Sequence, residues 1–128
     1  MILCSGAFDG LHAGHVRYLQ AAQALCPTEA LHVAIAPDDY IRSCKQREPL
    51  WTQTERAITV RVLRCVDEII LQQELTVAAV IRKYRPQRFV KGIDWRDKLT
   101  ADVVQACLEV GTDIIYVNTP GTHVSQTR

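Results

Sequence analysis

Two histidines three residues apart, His12 and His15, close the run Gly6-Ala7-Phe8-Asp9-Gly10-Leu11-His12-Ala13-Gly14-His15. At that spacing both can project from one face of an opening helical turn. Gly14 between them removes a side chain where a bound group would approach the backbone. If the run joins a strand to a helix, it presents backbone N–H groups and the positive end of a helix dipole, which suits an anion. Two imidazole donors aimed at one point can stabilise charge that builds on phosphoryl oxygens. An H-x-x-H pair also occurs in metal sites, but no cysteine or further histidine lies close enough in sequence to complete one, so no metal ligand is assigned. The glycines could also serve a tight turn alone. Anion binding is the reading carried forward.

The surrounding sequence predicts the junction such a site needs. Short apolar runs over residues 1–5, 31–36, 68–71, 88–91 and 113–117 are rich in branched or aromatic residues and read as strands. Amphipathic stretches lie between them. Val77, Val80, Ile81 and Tyr84 recur with a helical period that Pro86 ends, and Val103, Val104, Cys107 and Leu108 form a stripe ahead of Gly111. Val16, Leu19 and Cys26 line a helix that Pro27 stops, and Ile58 and Val62 mark another near residues 53–64. Strand and helix in alternation give a parallel sheet covered on both faces. The expected fold is one α/β, Rossmann-like, three-layer domain over residues 1–128, with a five-stranded parallel sheet. Ligands in such folds bind beyond the carboxyl ends of the strands, where the winding reverses, so the loop after the first strand is the expected site. The polar stretch 43–52 has no periodicity and follows the second strand on the same side.

Composition bounds the partners. The 128 residues are 48% hydrophobic and carry fifteen basic against fourteen acidic residues, a net charge of +1. That balance gives no support for nucleic-acid binding, so any bound anion must be held locally. The five cysteines are scattered, with no C-x-x-C pair, and read as reduced, small hydrophobes. No stretch resembles a signal peptide or reaches membrane length, which makes the cytoplasm the expected location and a membrane partner unexpected.

The run from Gly6 to His15 resembles the signature of the cytidylyltransferase-like nucleotidyltransferases, in their H-x-G-H branch. The resemblance continues in the family's order. Arg56 closes a T-E-R turn, Arg64-Cys65-Val66-Asp67-Glu68-Ile69-Ile70 is similar to R-x-V-D-E-V-I, Phe89-Val90-Lys91-Gly92-Ile93-Asp94-Trp95 to a K-G-x-D-[YW] motif, and Val124-Ser125-Gln126-Thr127-Arg128 to I-S-T-T-K. The resemblance implies that His12 and His15 contact a nucleoside triphosphate and stabilise the pentacovalent transition state. It implies that Gly6, Ala7, Phe8, Asp9 and Gly14 bind the nucleotide, Phe8 and Asp9 by shaping the loop, and that Lys45 joins the catalytic set by neutralising phosphate charge. Lys91, Gly92, Asp94 and Trp95 would lie near nucleoside and acceptor; Val124, Ser125 and Thr127 would approach phosphate oxygens. Also implied are Mg2+ carried with the nucleotide and a homodimer joined near residues 64–68.

Within the family, Asn118 stands where glycerol-phosphate enzymes have an arginine, and Gln126 replaces a threonine. With the K-G-x-D motif, Asn118 looks closer to the adenylyltransferase domain that makes ADP-heptose from a sugar 1-phosphate. The expected reaction joins a nucleoside monophosphate from CTP or ATP to a phosphorylated small molecule, a sugar 1-phosphate before others, and releases pyrophosphate. Glycerol 3-phosphate as acceptor, FMN as acceptor and a non-catalytic nucleotide-binding regulator are the alternatives. Trp51 is expected to pack under its loop, and His123 is equally a surface or catalytic residue.

Overall fold

The computed structural model describes residues 1–119. Five strands, β1 (Ile2–Gly6), β2 (Leu31–Ile35), β3 (Glu68–Leu71), β4 (Arg88–Gly92) and β5 (Asp113–Val117), form a parallel sheet in the order β3-β2-β1-β4-β5. The helices are α1 (Ala13–Leu25), α2 (Asp38–Cys44), α3 (Gln53–Arg61), α4 (Ala78–Tyr84) and α5 (Ala101–Val110), and a 3-10 turn, Ile93–Trp95, follows β4. The expected five-stranded, Rossmann-like α/β architecture is therefore present.

Alternation along the strands divides the interior into two layers. Ile2 and Cys4 of β1 join Leu31, Val33, Ile35 and Val90 beneath Tyr18, Leu19 and Ala22 of α1 and Ala57 and Val60 of α3. On the other face, Leu3, Ala34, Ile70 and Phe89 pack against α4 and α5 through Ala78, Val80, Ile81, Val103, Ala106 and Cys107. The chain leaves β1 for the first face and β4 for the second. These adjacent strands thus send their loops in opposite directions, and a crevice opens at their carboxyl ends.

Helix ends follow local chemistry. Arg85 closes α4 with φ +50° because Pro86 cannot continue it. Gly111 closes α5 with φ +76°, as its position predicts. Two apolar stripes differ from expectation. On α5 the buried set is Val103, Ala106 and Cys107, while Leu108 is 73% exposed. On α3 the buried set is Arg56, Ala57 and Val60, leaving Ile58 58% and Val62 75% exposed. Each of these helices packs on the sheet from one side only, so its covered stripe is narrower than its apolar one. Helix α2 was not expected: it is short and buries only Ile41, too little to show a period. Among the described residues, no helix is long and apolar enough to cross a membrane.

Burial separates substitutions that look alike in sequence. Phe89→Ala, at a residue 1% exposed, should cost about 3–5 kcal/mol in urea unfolding, whereas Leu108→Ala should stay within about 0.5 kcal/mol.

Candidate active site

Where β1 ends, the loop is shaped by one aromatic ring. Phe8 takes φ +52° and turns its side chain into the interior. Its ring lies over Gly6 so closely that a Cβ there would sit 2.9 Å from Phe8 Cε2. The same ring meets His15 edge-on, with centroids 5.2 Å apart, and so limits how that imidazole can tilt. Phe8 and Gly6 therefore shape the loop together.

The histidines cap α1 through each other. His12 is the N-cap; its Nδ1 accepts from the Gly14 N–H at 3.0 Å, and its own N–H donates to His15 Nδ1 at 3.2 Å. The rings stack at 3.8 Å. This reciprocal bonding satisfies first-turn N–H groups that would otherwise be unpaired. It also fixes the chemistry: with each Nδ1 accepting, the proton of each neutral ring is on Nε2. Burial first, then proximity to His12 and to Lys45, disfavours a proton on His15 and holds its pKa down to about 4. His15 is thus a neutral hydrogen-bond donor near pH 7. The Gly14 N–H is spent on His12 at the start of α1.

Asp9 fastens the loop to the segment that follows α2. Its carboxylate, 2% exposed, accepts from the Leu50 N–H at 2.9 Å, the Trp51 N–H at 3.0 Å and the Arg47 guanidinium at 2.7 Å. Burial acts to raise its pKa, but the Leu50 N–H, Arg47 and the Trp51 N–H outweigh it and leave the group below its ordinary value. The stretch 43–52 is accordingly tied down after its helical start. Trp51 is 53% exposed and does not pack beneath the loop.

Lys91 stands where β4 ends beside β1. Its ammonium is buried, donates to the Ser5 carbonyl at 3.0 Å and Ser5 Oγ at 3.4 Å, and lies 4.3 Å from the Trp95 ring centre. Burial pushes its pKa down to about 8, against the pull of Cys4 and Asp94 and with a further push from Lys45. A Cβ at Gly92 would lie 2.6 Å from the Asp94 carboxylate, which folds back over the backbone and would have to swing aside. Lys45, the exposed C-cap of α2, acts on both His15 and Lys91 and so belongs to the same cluster. Tyr18 joins the two strands here: its hydroxyl donates to the Val90 carbonyl and accepts the Ser5 N–H at 3.3 Å.

The crevice therefore gathers Gly6, Ala7, Phe8, Asp9, His12, Gly14 and His15 with Lys45, Lys91, Gly92, Asp94 and Trp95. Val124, Ser125, Thr127 and His123 lie outside the described residues. Ser5, Tyr18 and Arg56 are structural members that sequence reading did not place in the site. Tyr18 carried a signal, standing one helical step after His15 on the face of α1 that meets the sheet.

A doubly wound α/β sheet with a histidine-capped loop and two lysines at its switch point makes a crevice suited to an anion. Residues 3–124 match the family described as Cytidylyltransferase-like, and the chain belongs to that family. It is 38% identical over 96 residues to the bifunctional protein HldE of Citrifermentans bemidjiense, covering 74% of this chain but 19% of that protein. It is 33% identical over 99 residues to the FAD synthase of Korarchaeum cryptofilum, covering 76% of this chain and 67% of that one. The chain thus spans about a fifth of the length of the HldE relatives. A lipopolysaccharide core biosynthesis protein from Thermoplasma volcanium shares the fold, with a TM-score of 0.77 and 24% identity over 92% of this chain and 95% of that one.

The two shifted groups give the site a directional pH response. Lys91 carries its charge below pH about 8 and loses it above, so triphosphate affinity should fall as pH rises through that value. His15 stays neutral down to about 4 and should add no step between about pH 5 and pH 7. Titration calorimetry across pH checks this: Lys91→Met should bind more weakly at pH 7 and lose the step near 8.

Proposed function

We propose that this protein is a nucleotidyltransferase that moves an adenylyl group from ATP to a sugar 1-phosphate, forming a nucleoside-diphosphate sugar and pyrophosphate. The observation that carries the reading is the reciprocal capping of His12 and His15, which stacks the two rings with their protons on Nε2 in the crevice that also holds Lys45 and Lys91. An acceptor phosphate oxygen attacks the α-phosphorus, the bond to the bridging oxygen breaks, and pyrophosphate departs with the electron pair. The acceptor is already ionised, so no general base is required. His12 and His15 donate to phosphoryl oxygens as charge grows there. Lys45 offsets charge on the leaving pyrophosphate, and Lys91 supplies a fixed positive charge behind the loop.

Mg2+ would enter with the triphosphate and be held by its oxygens, supplying charge neutralisation. The donor set fits that arrangement. The Asp9 carboxylate is taken up by two N–H groups and Arg47, and among the described residues no three His, Cys, Asp or Glu side chains cluster to hold an ion. The sugar 1-phosphate acceptor is favoured by the resemblance of the Lys91–Trp95 motif to the ADP-heptose-forming domain and by Asn118 in place of an arginine. FMN is the second reading, because the chain covers 67% of a relative named FAD synthase. The cytoplasm, where ATP is supplied, is the location this proposal takes. A homodimer is also part of the proposal: Ile58 and Val62 leave an apolar face on α3 that leads into residues 64–70.

Two measurements test these statements. Pyrophosphate release over a grid of ATP and CTP against sugar 1-phosphates, glycerol 3-phosphate and FMN should be fastest with ATP and a sugar 1-phosphate. In that assay His15→Ala and His12→Ala should each lower kcat on the order of 10²–10³-fold with little change in ground-state nucleotide binding, and the double variant should lose less than the product. A His15→Ala protein within a few-fold of wild type would refute the mechanism. Light scattering should give a dimer mass that Ile58→Glu with Val62→Glu converts to monomer; a monomeric, active wild type would remove the dimer.

A further inference from the structure

Arg56 begins the buried face of α3, and its side chain is wholly buried. Its guanidinium donates to four acceptors. Nε reaches the Trp51 carbonyl at 3.0 Å, Nη1 reaches the Ala7 and Ala36 carbonyls at 2.8 Å each, and Nη2 reaches Asp38 Oδ1 at 2.7 Å. These acceptors come from four segments: the loop after β1, the end of β2, the first turn of α2 and the lead into α3. Taking a cation out of water is costly, and one carboxylate does not by itself explain placing it here. The two carbonyls of Ala7 and Ala36 do. They lie just past the ends of parallel strands, where the sheet ladder no longer supplies a partner, and a buried carbonyl needs one.

What the guanidinium grips is the machinery of the crevice. Ala7 precedes Phe8, whose φ of +52° sets the path to His12. Asp38 opens the helix that ends at Lys45. The peptide at Trp51 is held on both sides, its N–H by Asp9 and its carbonyl by Arg56, so the histidine loop and the α2–α3 segment are joined twice. An ammonium could not do this. It offers three donors from one point, whereas these acceptors match the planar, spread fork of a guanidinium.

We propose that Arg56 is a positioning residue for nucleotidyl transfer, locking the loop that carries His12 and His15 to the helix that ends at Lys45, so that all three meet the triphosphate in one geometry. The proposal rests on the reading that the two histidines act on the phosphoryl group. Arg56 touches no substrate; its effect reaches the reaction through the placement of those groups.

Arg56→Lys is the direct test, with Asp38→Asn as the milder variant because Asp38 is partly exposed. Each is measured for kcat, for nucleotide Kd and for the long-range proton–nitrogen spectrum of the imidazoles, which reports which ring nitrogen holds the proton. Wild type should show Nε2–H on both rings. Arg56→Lys should fold, lose on the order of 10²-fold in kcat, as small misplacements do, keep its nucleotide Kd within about threefold, and show mixed tautomers. Asp38→Asn should move kcat and the spectrum in the same direction by less. Wild-type kcat in folded Arg56→Lys, or lost kcat with an unchanged imidazole spectrum, overturns the proposal. If Arg56→Lys does not fold, Asp38→Asn decides, and wild-type kcat with wild-type imidazole signals there overturns it. His15→Ala, run alongside, separates the two levels. Wild-type turnover in His15→Ala removes the histidine mechanism and this proposal together; lost turnover there, with wild-type turnover in Arg56→Lys, removes this proposal alone.

Discussion

Because β1 is hydrogen-bonded to β2 along one edge and to β4 along the other, its last residues emerge between two strands whose own continuations diverge. The loop from Gly6 to His12 has no ladder to follow and must satisfy its backbone by other means. Phe8 anchors it from beneath, Arg56 takes the Ala7 carbonyl, and Asp9 reaches across to the Leu50 and Trp51 N–H groups. The histidines finish the series by capping the helix and each other. A topological constraint is thereby answered with the same side chains that a phosphate would meet.

The electrostatics of the crevice follow from that construction. Burial is the largest cause that disfavours charge on His15 and on Lys91, and Lys45 adds to it at both. For Lys91 the fall from 10.5 to about 8 corresponds to about 3 kcal/mol at 1.36 kcal/mol per unit. Its folded-state pKa lies below its unfolded one, so the charged form opposes folding at pH below 8, and that opposition fades as pH rises towards 10.5. An incoming anion acts in the opposite sense. Stability given up in the empty protein would become affinity for an anion bound there, and His15, neutral above about pH 4, adds no charge of its own.

Much of this was legible in the sequence, and the exceptions have physical reasons. The strands and the junction at Gly6–His15 were readable because apolar runs and glycine spacing are local signals. The reversal of winding at β1 was expected from the alternation of elements, and the sheet order bears it out. Helix α2 was hidden because a short helix burying one residue has no period to detect. On α3, Ile58 and Val62 suggested the inward face, yet the face that turns in carries Arg56. A charged residue inside is recognisable only from its acceptors, here carbonyls from segments far apart in sequence. Lys91 and Trp95 were placed through family resemblance, and their mutual contact could not be read from order along the chain.

The contact between Gly6 and Phe8 also constrains how such a site can change over generations. A side chain at position 6 would claim space that the Phe8 ring already fills, 2.9 Å from where the Cβ would lie. A lineage that acquired alanine first would displace the ring that steadies His15 and lose fitness before any second change could compensate. One that first reduced position 8 would open the space and could then admit a larger residue at 6. Because reducing position 8 removes the same ring from beside His15, neither single change is free, and the two positions constrain each other.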